Sequence, residues 1–186
     1  MDKYDKTSES ALWQSFKSGD KTAFKAIYYE YYMLLYRYGV KTSADTELAE
    51  DCLQDLFLKL WKNRENLGEV SSVKSYLYRA YIRTLFDAMK KFRKEHQFGD
   101  LSTETSESSI EETIIEGQTH TESNLHLHRA LQHLSRRQRQ VVLLHYFEGL
   151  SYKQIAEVLP IKYQAIRNCI HEAIKVLRKN IASRSG

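Results

Sequence analysis

Proline occurs once in this chain of 186 residues, glycine seven times and cysteine twice. With so few helix breakers, and no convincing alternating strand pattern, the chain is expected to be all-α. The two thiols, Cys52 and Cys169, lie far apart inside helical patterns. That excludes a disulfide framework and suits reduced, buried cysteines in a cytoplasmic protein. No apolar run is long enough to cross a membrane, and the opening Met1-Asp-Lys-Tyr-Asp-Lys lacks the hydrophobic stretch of a secretory signal. A Gly-rich phosphate loop, a nucleophile elbow and paired catalytic carboxylates are missing too. His126, His128 and His133 fall on one helical stretch without Cys or carboxylate neighbours at ligand spacing. No enzyme, metal, cofactor or small-molecule substrate is therefore expected.

What the chain does have is charge, unevenly placed. The net +4 divides into +4 over residues 1–94, −8 over 95–124, where Lys and Arg are absent, and +8 over 125–186. The acidic stretch is rich in Ser, Thr and Glu with little periodicity, and Ile110, Ile114 and Ile115 are too few to sustain a fold. The organisation expected is a helical domain over 1–94, a flexible acidic linker over 95–123 and a second helical domain over 124–186. A small domain at +8 is drawn to phosphate backbones through counterion release. An acidic membrane surface is the competing partner, but the basic helix carries Gln, Asn and His rather than membrane-inserting aromatics.

In the last domain, Ser151 followed by Gln154 is a capping-box start. The residue before a proline is pushed from the α region, so this helix should stop near Leu159. The next helix places Ile166, Ile170, Ala173, Ile174, Leu177 and Ile181 on one face. At about 100° per residue, Gln164, Asn168, His171 and Lys175 line the other. A capped helix, a tight turn and a helix with an amide-rich, cationic outer face describe a helix-turn-helix, which presents such side chains to the DNA major groove. The alternative is an αα-hairpin whose polar stripe is only solvated.

The first domain should begin with helices over about 8–19 and 21–39, the second carrying Tyr28, Tyr29, Tyr31, Tyr32, Tyr36 and Tyr38 as packing residues. A third, from about Thr46 to Asn63, has the apolar stripe Ala49, Cys52, Leu53, Leu56, Leu60. Asp51, Gln54 and Asp55 lie opposite, flanked by Phe57 and Trp61. Such a patch suits a partner bearing Arg or Lys, or is an ordinary wet face. A fourth helix turns Leu77, Tyr81, Thr84 and Ala88 inward and Arg79, Arg83, Phe86 and Lys90 outward. Cations that track phosphates beside rings that stack on bases suit unpaired nucleic acid. The loop before it, Asn63 to Ser72, is placed to catch an extruded base.

Ala49-Glu-Asp-Cys-Leu-Gln-Asp-Leu-Phe-Leu-Lys-Leu-Trp, then Leu134-Ser-Arg-Arg-Gln-Arg-Gln-Val-Val and Glu148-Gly-Leu-Ser-Tyr-Lys-Gln-Ile-Ala, closely resemble an RNA polymerase sigma factor of the extracytoplasmic-function group of the sigma-70 family. The likeness runs from about Leu12 to Leu177. It implies that Asp51, Gln54 and Asp55, with Phe57 and Trp61, dock on the clamp coiled coil of the largest subunit of core RNA polymerase. The helix from Tyr76 to Lys94, through Tyr76, Arg79, Arg83, Phe86 and Lys90, would open and read the minus-ten element as single-stranded DNA. Lys162, Tyr163, Gln164, Arg167, Asn168, His171 and Lys175 would read the double-stranded minus-thirty-five element. The linker would thread toward the active-site cleft, and members of the group commonly answer to an anti-sigma factor, often membrane-anchored. Pro160, Lys162 and Ala165 stand where the family often has Gly, Ser or Thr, and Thr, and Arg83 where Asn is common. A different turn and recognition-helix cap are expected. The competing function is a helix-turn-helix transcriptional regulator that works without docking on core polymerase.

Overall fold

Aspartates start two of the helices. Asp20 precedes a helix over Lys21–Ser43 (α2), and its carboxylate accepts from the Thr22 amide at 2.7 Å. Asp45 does the same for Thr46–Lys62 (α3), accepting from the Leu48 amide at 2.9 Å. Each satisfies an amide that the helix itself leaves unpaired. Between them Ala44 takes a left-handed conformation (φ 57°) and its amide closes on the Val40 carbonyl, so two long helices fold back as neighbours. A first helix over Lys6–Lys17 (α1) turns into α2 through Gly19, whose φ of 94° favours glycine. A single 3-10 turn, Arg64–Asn66, follows α3, and α4 covers Val73–Gln97. The computed structural model describes residues 6–97, 131 and 133–182. All but the first three residues of the acidic stretch at 95–123, with its three isoleucines, and the histidines at 126 and 128 lie outside them.

The chain forms two units, residues 1–113 and 114–186. In the first, α2, α3 and α4 pack on one another and α1 lies on α2 and on the 3-10 turn. The buried centre holds Trp13, Phe16, Ile27, Leu35, Tyr38, Leu53, Leu77, Tyr78, Tyr81 and Leu85. Each such side chain contributes about 1.5–3 kcal/mol by leaving water. The inward face of α4 is Val73, Leu77, Tyr78, Tyr81, Ile82 and Leu85. It corrects the expected inward stripe: Tyr78, Ile82 and Leu85 join it, because α4 is clasped by both α2 and α3 and buries a wider arc than one partner requires, while Thr84 and Ala88 are only half-buried. At the crossing, Tyr81 donates its hydroxyl to the Ala49 carbonyl at 2.9 Å, and Gly39 of α2 leaves the room for that ring.

In the second unit Ser135 and Gln138 form a reciprocal cap at the start of Arg136–Val142 (α5). A π-helical turn, Leu143–Phe147, runs into Gly149, whose φ is 68°. Ser151 and Gln154 then close the expected capping box at the head of Tyr152–Val158 (α6). Leu159, ahead of Pro160, is extended (ψ 145°) and ends α6 where the proline rule places it. The long helix Tyr163–Ala182 (α7) follows, its first turn closing on the Lys162 carbonyl. A lysine side chain has no acceptor, so it cannot cap α7 as a Ser or Thr hydroxyl would. The last helix packs on α5 and α6, and Ile166, Ile170 and Ala173 are buried, as are Val141, Leu144, Leu150, Ile155 and Val158. Cys52 and Cys169 are free thiols, the first buried, and burial raises both.

Candidate functional site

On α3 the apolar stripe packs inward and leaves Asp51, Gln54 and Asp55 exposed together on the opposite face. Asp55 pairs with Lys59 at 3.2 Å, with both side chains mostly in water. Such a pair is worth about 0.2–1 kcal/mol, so a partner's cation displaces it at little cost. Leu58, 69% exposed, lies in the same row. Alternation of apolar and polar residues did not single it out, since a lone leucine reads as core. Its spacing from Gln54 and Asp55 (i+4 and i+3) is the signal that places it outside.

Phe57 corrects the expected patch. It is 4% exposed and lies among Phe24, Tyr28 and Tyr32, with ring centroids 6.2, 4.8 and 6.4 Å away. The ring turns toward the tyrosine face of α2, where it removes more apolar surface from water than it could at a rim. It supports the patch from beneath and presents almost no surface of its own. Trp61 is half-buried, packed on Phe24 at 5.0 Å and covered by the Arg64 guanidinium at 4.7 Å. Tyr28, Tyr32 and Tyr36 run as a ladder on α2, with Tyr32 and Tyr36 stacked 7° from parallel.

On α4, Arg79, Arg83 and Lys90 are exposed in one row, with Phe86 half-buried beside them. Tyr76 leans on Trp13 at 5.3 Å, and its burial raises the phenol above the usual range. The loop ahead of α4 is held at several points by α1. Trp13 Nε1 donates to the Gly68 carbonyl at 3.0 Å. Gln14 and Lys17 donate to the two oxygens of Glu69 at 2.5 and 3.0 Å. The Glu9 carboxylate accepts from the Val73 amide at 2.8 Å, capping α4 from 64 residues away in sequence. Among the described residues no three His, Cys, Asp or Glu side chains gather to hold a metal ion.

In the second unit Lys162, Tyr163, Gln164, Arg167, Asn168, His171 and Lys175 are all exposed along α7. Gln164 donates to Asn168 Oδ1 at 3.2 Å, orienting both amides. Lys175 donates to Glu172 at 3.0 Å and, with its charge, holds that carboxyl below its usual range. Tyr163 stands against Tyr152 (6.2 Å), which rests on His145 (4.7 Å). His145 Nδ1 lies 2.8 Å from the Leu150 carbonyl, so that nitrogen carries the proton. This aromatic chain braces the first turn of α7 against the helix before it. Sequence patterning had no reason to link these three rings across a turn. Amide pairs and cations on a rigid helix can meet base edges and phosphates.

Residues 27–95 match the family described as sigma-70 region 2, and residues 125–177 match sigma-70 region 4; the two span about two thirds of the chain. The ECF RNA polymerase sigma factor SigL of Mycobacterium tuberculosis is 27% identical over 167 residues, covering 87% of this chain and 90% of the relative. RNA polymerase sigma factor SigV of Bacillus subtilis is 27% identical over 149 residues, with 80% and 82% covered. The fold is similar to that of the sigma factor RpoE of Bartonella quintana, solved with the anti-sigma factor NepR: TM-score 0.70, 22% identity, 87% of this chain and 98% of that one. It is also similar to CnrH, solved with the cytosolic domain of CnrY: TM-score 0.67, 17% identity, 95% and 98% covered.

Proposed function

The chain belongs to the sigma-70 family, in its extracytoplasmic-function group, and from that premise we propose how its residues divide the work. It is a promoter-specificity subunit of RNA polymerase, and the reading as a regulator that never meets polymerase is not favoured. In the proposed division, Asp51, Gln54 and Asp55 meet a cationic surface of core polymerase, the clamp coiled coil of its largest subunit, and Leu58 adds an apolar contact among them. Arg79, Arg83 and Lys90 follow the phosphates of opened minus-ten DNA, with Phe86, Tyr76 and the loop before α4 receiving unpaired bases. Lys162, Tyr163, Gln164, Arg167, Asn168, His171 and Lys175 read the minus-thirty-five duplex.

Three parts of one task make different physical demands. Duplex reading needs a stiff helix that fits the major groove. Strand capture needs rings and cations on one face. Docking needs a charged surface whose own ion pairs cost little to displace. One observation carries the assignment: the exposed carboxylate and amide row of α3 occupies the same unit as the cationic row of α4. A regulator reading duplex alone has no use for that pairing.

The protein works by binding and catalyses no reaction of its own. It acts in the cytoplasm, where promoter and polymerase are. An inhibitor of the anti-sigma kind, free or membrane-anchored, is part of the proposal. The test is to add the protein to core polymerase and map transcript starts. Defined starts that vanish for Asp51→Lys with Asp55→Lys, while duplex affinity of the isolated protein is unchanged, are the expected result. Starts that persist at full strength refute the docking row.

A further inference from the structure

We infer that α1 is a built-in brace that presets the loop between α3 and α4, so that Glu9 and Trp13 act as positioning residues for promoter opening. This rests on the reading of that loop as the place where an unpaired base is received.

The loop from Asn63 to Ser72 contains one 3-10 turn and is otherwise irregular. A segment of this kind stays mobile unless something fixes its backbone. Here the fixing groups come from a helix more than 50 residues earlier. Trp13 is fully buried, yet its one polar atom leaves the core to donate to the Gly68 carbonyl at 3.0 Å. Glu69 is gripped by Gln14 and Lys17, which hold its carboxyl below the usual range. Glu9 accepts from the Val73 amide at 2.8 Å and fixes where α4 begins. The Trp13 ring also meets Tyr76 at 5.3 Å, so the brace reaches a side chain of the proposed DNA face. Space around Gly68 is open, with no atom within 4 Å of an added Cβ. At Gly68 itself the bond from Trp13 is therefore what holds the backbone. None of these contacts involves the outer row of α3, so docking on polymerase should not depend on them.

The test uses holoenzyme reconstituted from core polymerase and full-length variants, on a promoter whose start has been mapped with the wild-type protein. Permanganate reactivity of unpaired thymines follows opening, while core affinity and the thermal midpoint are measured alongside. Glu9→Ala and Trp13→Phe should each slow opening about fivefold to tenfold, the scale of one lost hydrogen bond. Core affinity should be unchanged. Glu9→Gln keeps an acceptor for Val73 and should recover most of the rate. Ser10→Ala, exposed on the same helix, should open normally. Wild-type opening by both Glu9→Ala and Trp13→Phe overturns the brace. So does a loss of opening that merely tracks lost core affinity or a lowered midpoint. Asn66→Ala with Leu67→Ala separates the two ideas. If that loop variant slows opening and the α1 variants do not, the base-receiving loop stands and the brace fails. Normal opening by the loop variant removes the reading on which the brace rests.

Discussion

Replacing Gly39 with alanine is expected to destabilise the amino-terminal unit by about 1–3 kcal/mol. An added Cβ would fall on the Tyr81 hydroxyl, 2.9 Å from the ring carbon that bears it and 3.1 Å from Ala49 Cβ. Overpacking of this kind costs about 1–3 kcal/mol. Moving the ring aside also breaks its hydrogen bond to the Ala49 carbonyl, about 1 kcal/mol more. Alanine's better helix propensity returns about 0.8–1 kcal/mol. Urea unfolding followed by tryptophan fluorescence isolates this unit, because the chain's two tryptophans, Trp13 and Trp61, both lie in it. The companion variant is Tyr81→Phe, which removes the hydroxyl under the new methyl. Alone it should cost about 0.5–1.5 kcal/mol. In the double variant the two losses should sum to more than the observed loss, since part of the clash and the whole hydrogen bond are then counted once. A Gly39→Ala midpoint equal to wild type, or strict additivity with Tyr81→Phe, refutes the crossing as described.

Burial raises the Tyr81 phenol well above its ordinary 10.0, so the folded state favours the neutral form. Its stabilisation is full below about pH 10 and is lost as pH climbs beyond it while the unfolded phenol ionises. Alkaline unfolding curves should flatten for Tyr81→Phe; an unchanged slope speaks against the buried hydroxyl. Ser151→Ala, which removes the hydroxyl half of its capping box and leaves Gln154 on the residue 151 amide, should lower stability of the second unit by about 1 kcal/mol, read from a circular-dichroism melt. Gln164→Ala is expected to weaken promoter-specific initiation by about 1–3 kcal/mol if its amide pairs with a base edge, whereas Arg167→Ala should reduce it more evenly across promoter variants. Equal initiation from both, compared with wild type, takes base reading away from this face of α7.

Local signals were legible wherever one residue acts on its own chain neighbours. Ser151 with Gln154 started α6 and the residue before Pro160 ended it, because capping and proline sterics operate within four residues. The exposed row of α7 followed from period alone, since this helix is covered on one side only. Period failed on α4, where two partners bury a wider arc, and it failed for Phe57, whose position on the rim of α3 looked outward until the tyrosines of α2 closed over it. Leu58 went the other way, an apolar residue left in water by the direction of its neighbours' stripe.

The sequence by itself determined helix content, the start and stop of α6, the outer face of α7, the charge contrast between segments and the motifs that name the family. All depend on interactions a few residues long or on summed charge. Only the tertiary structure decided which aromatic faces inward, that Gly39 must be small for Tyr81 to reach Ala49, and that Glu9 and Trp13 fix a loop more than 50 residues away. Those are contacts between segments whose meeting depends on how helices cross, and crossing is set by the whole buried surface at once and not by any window of residues.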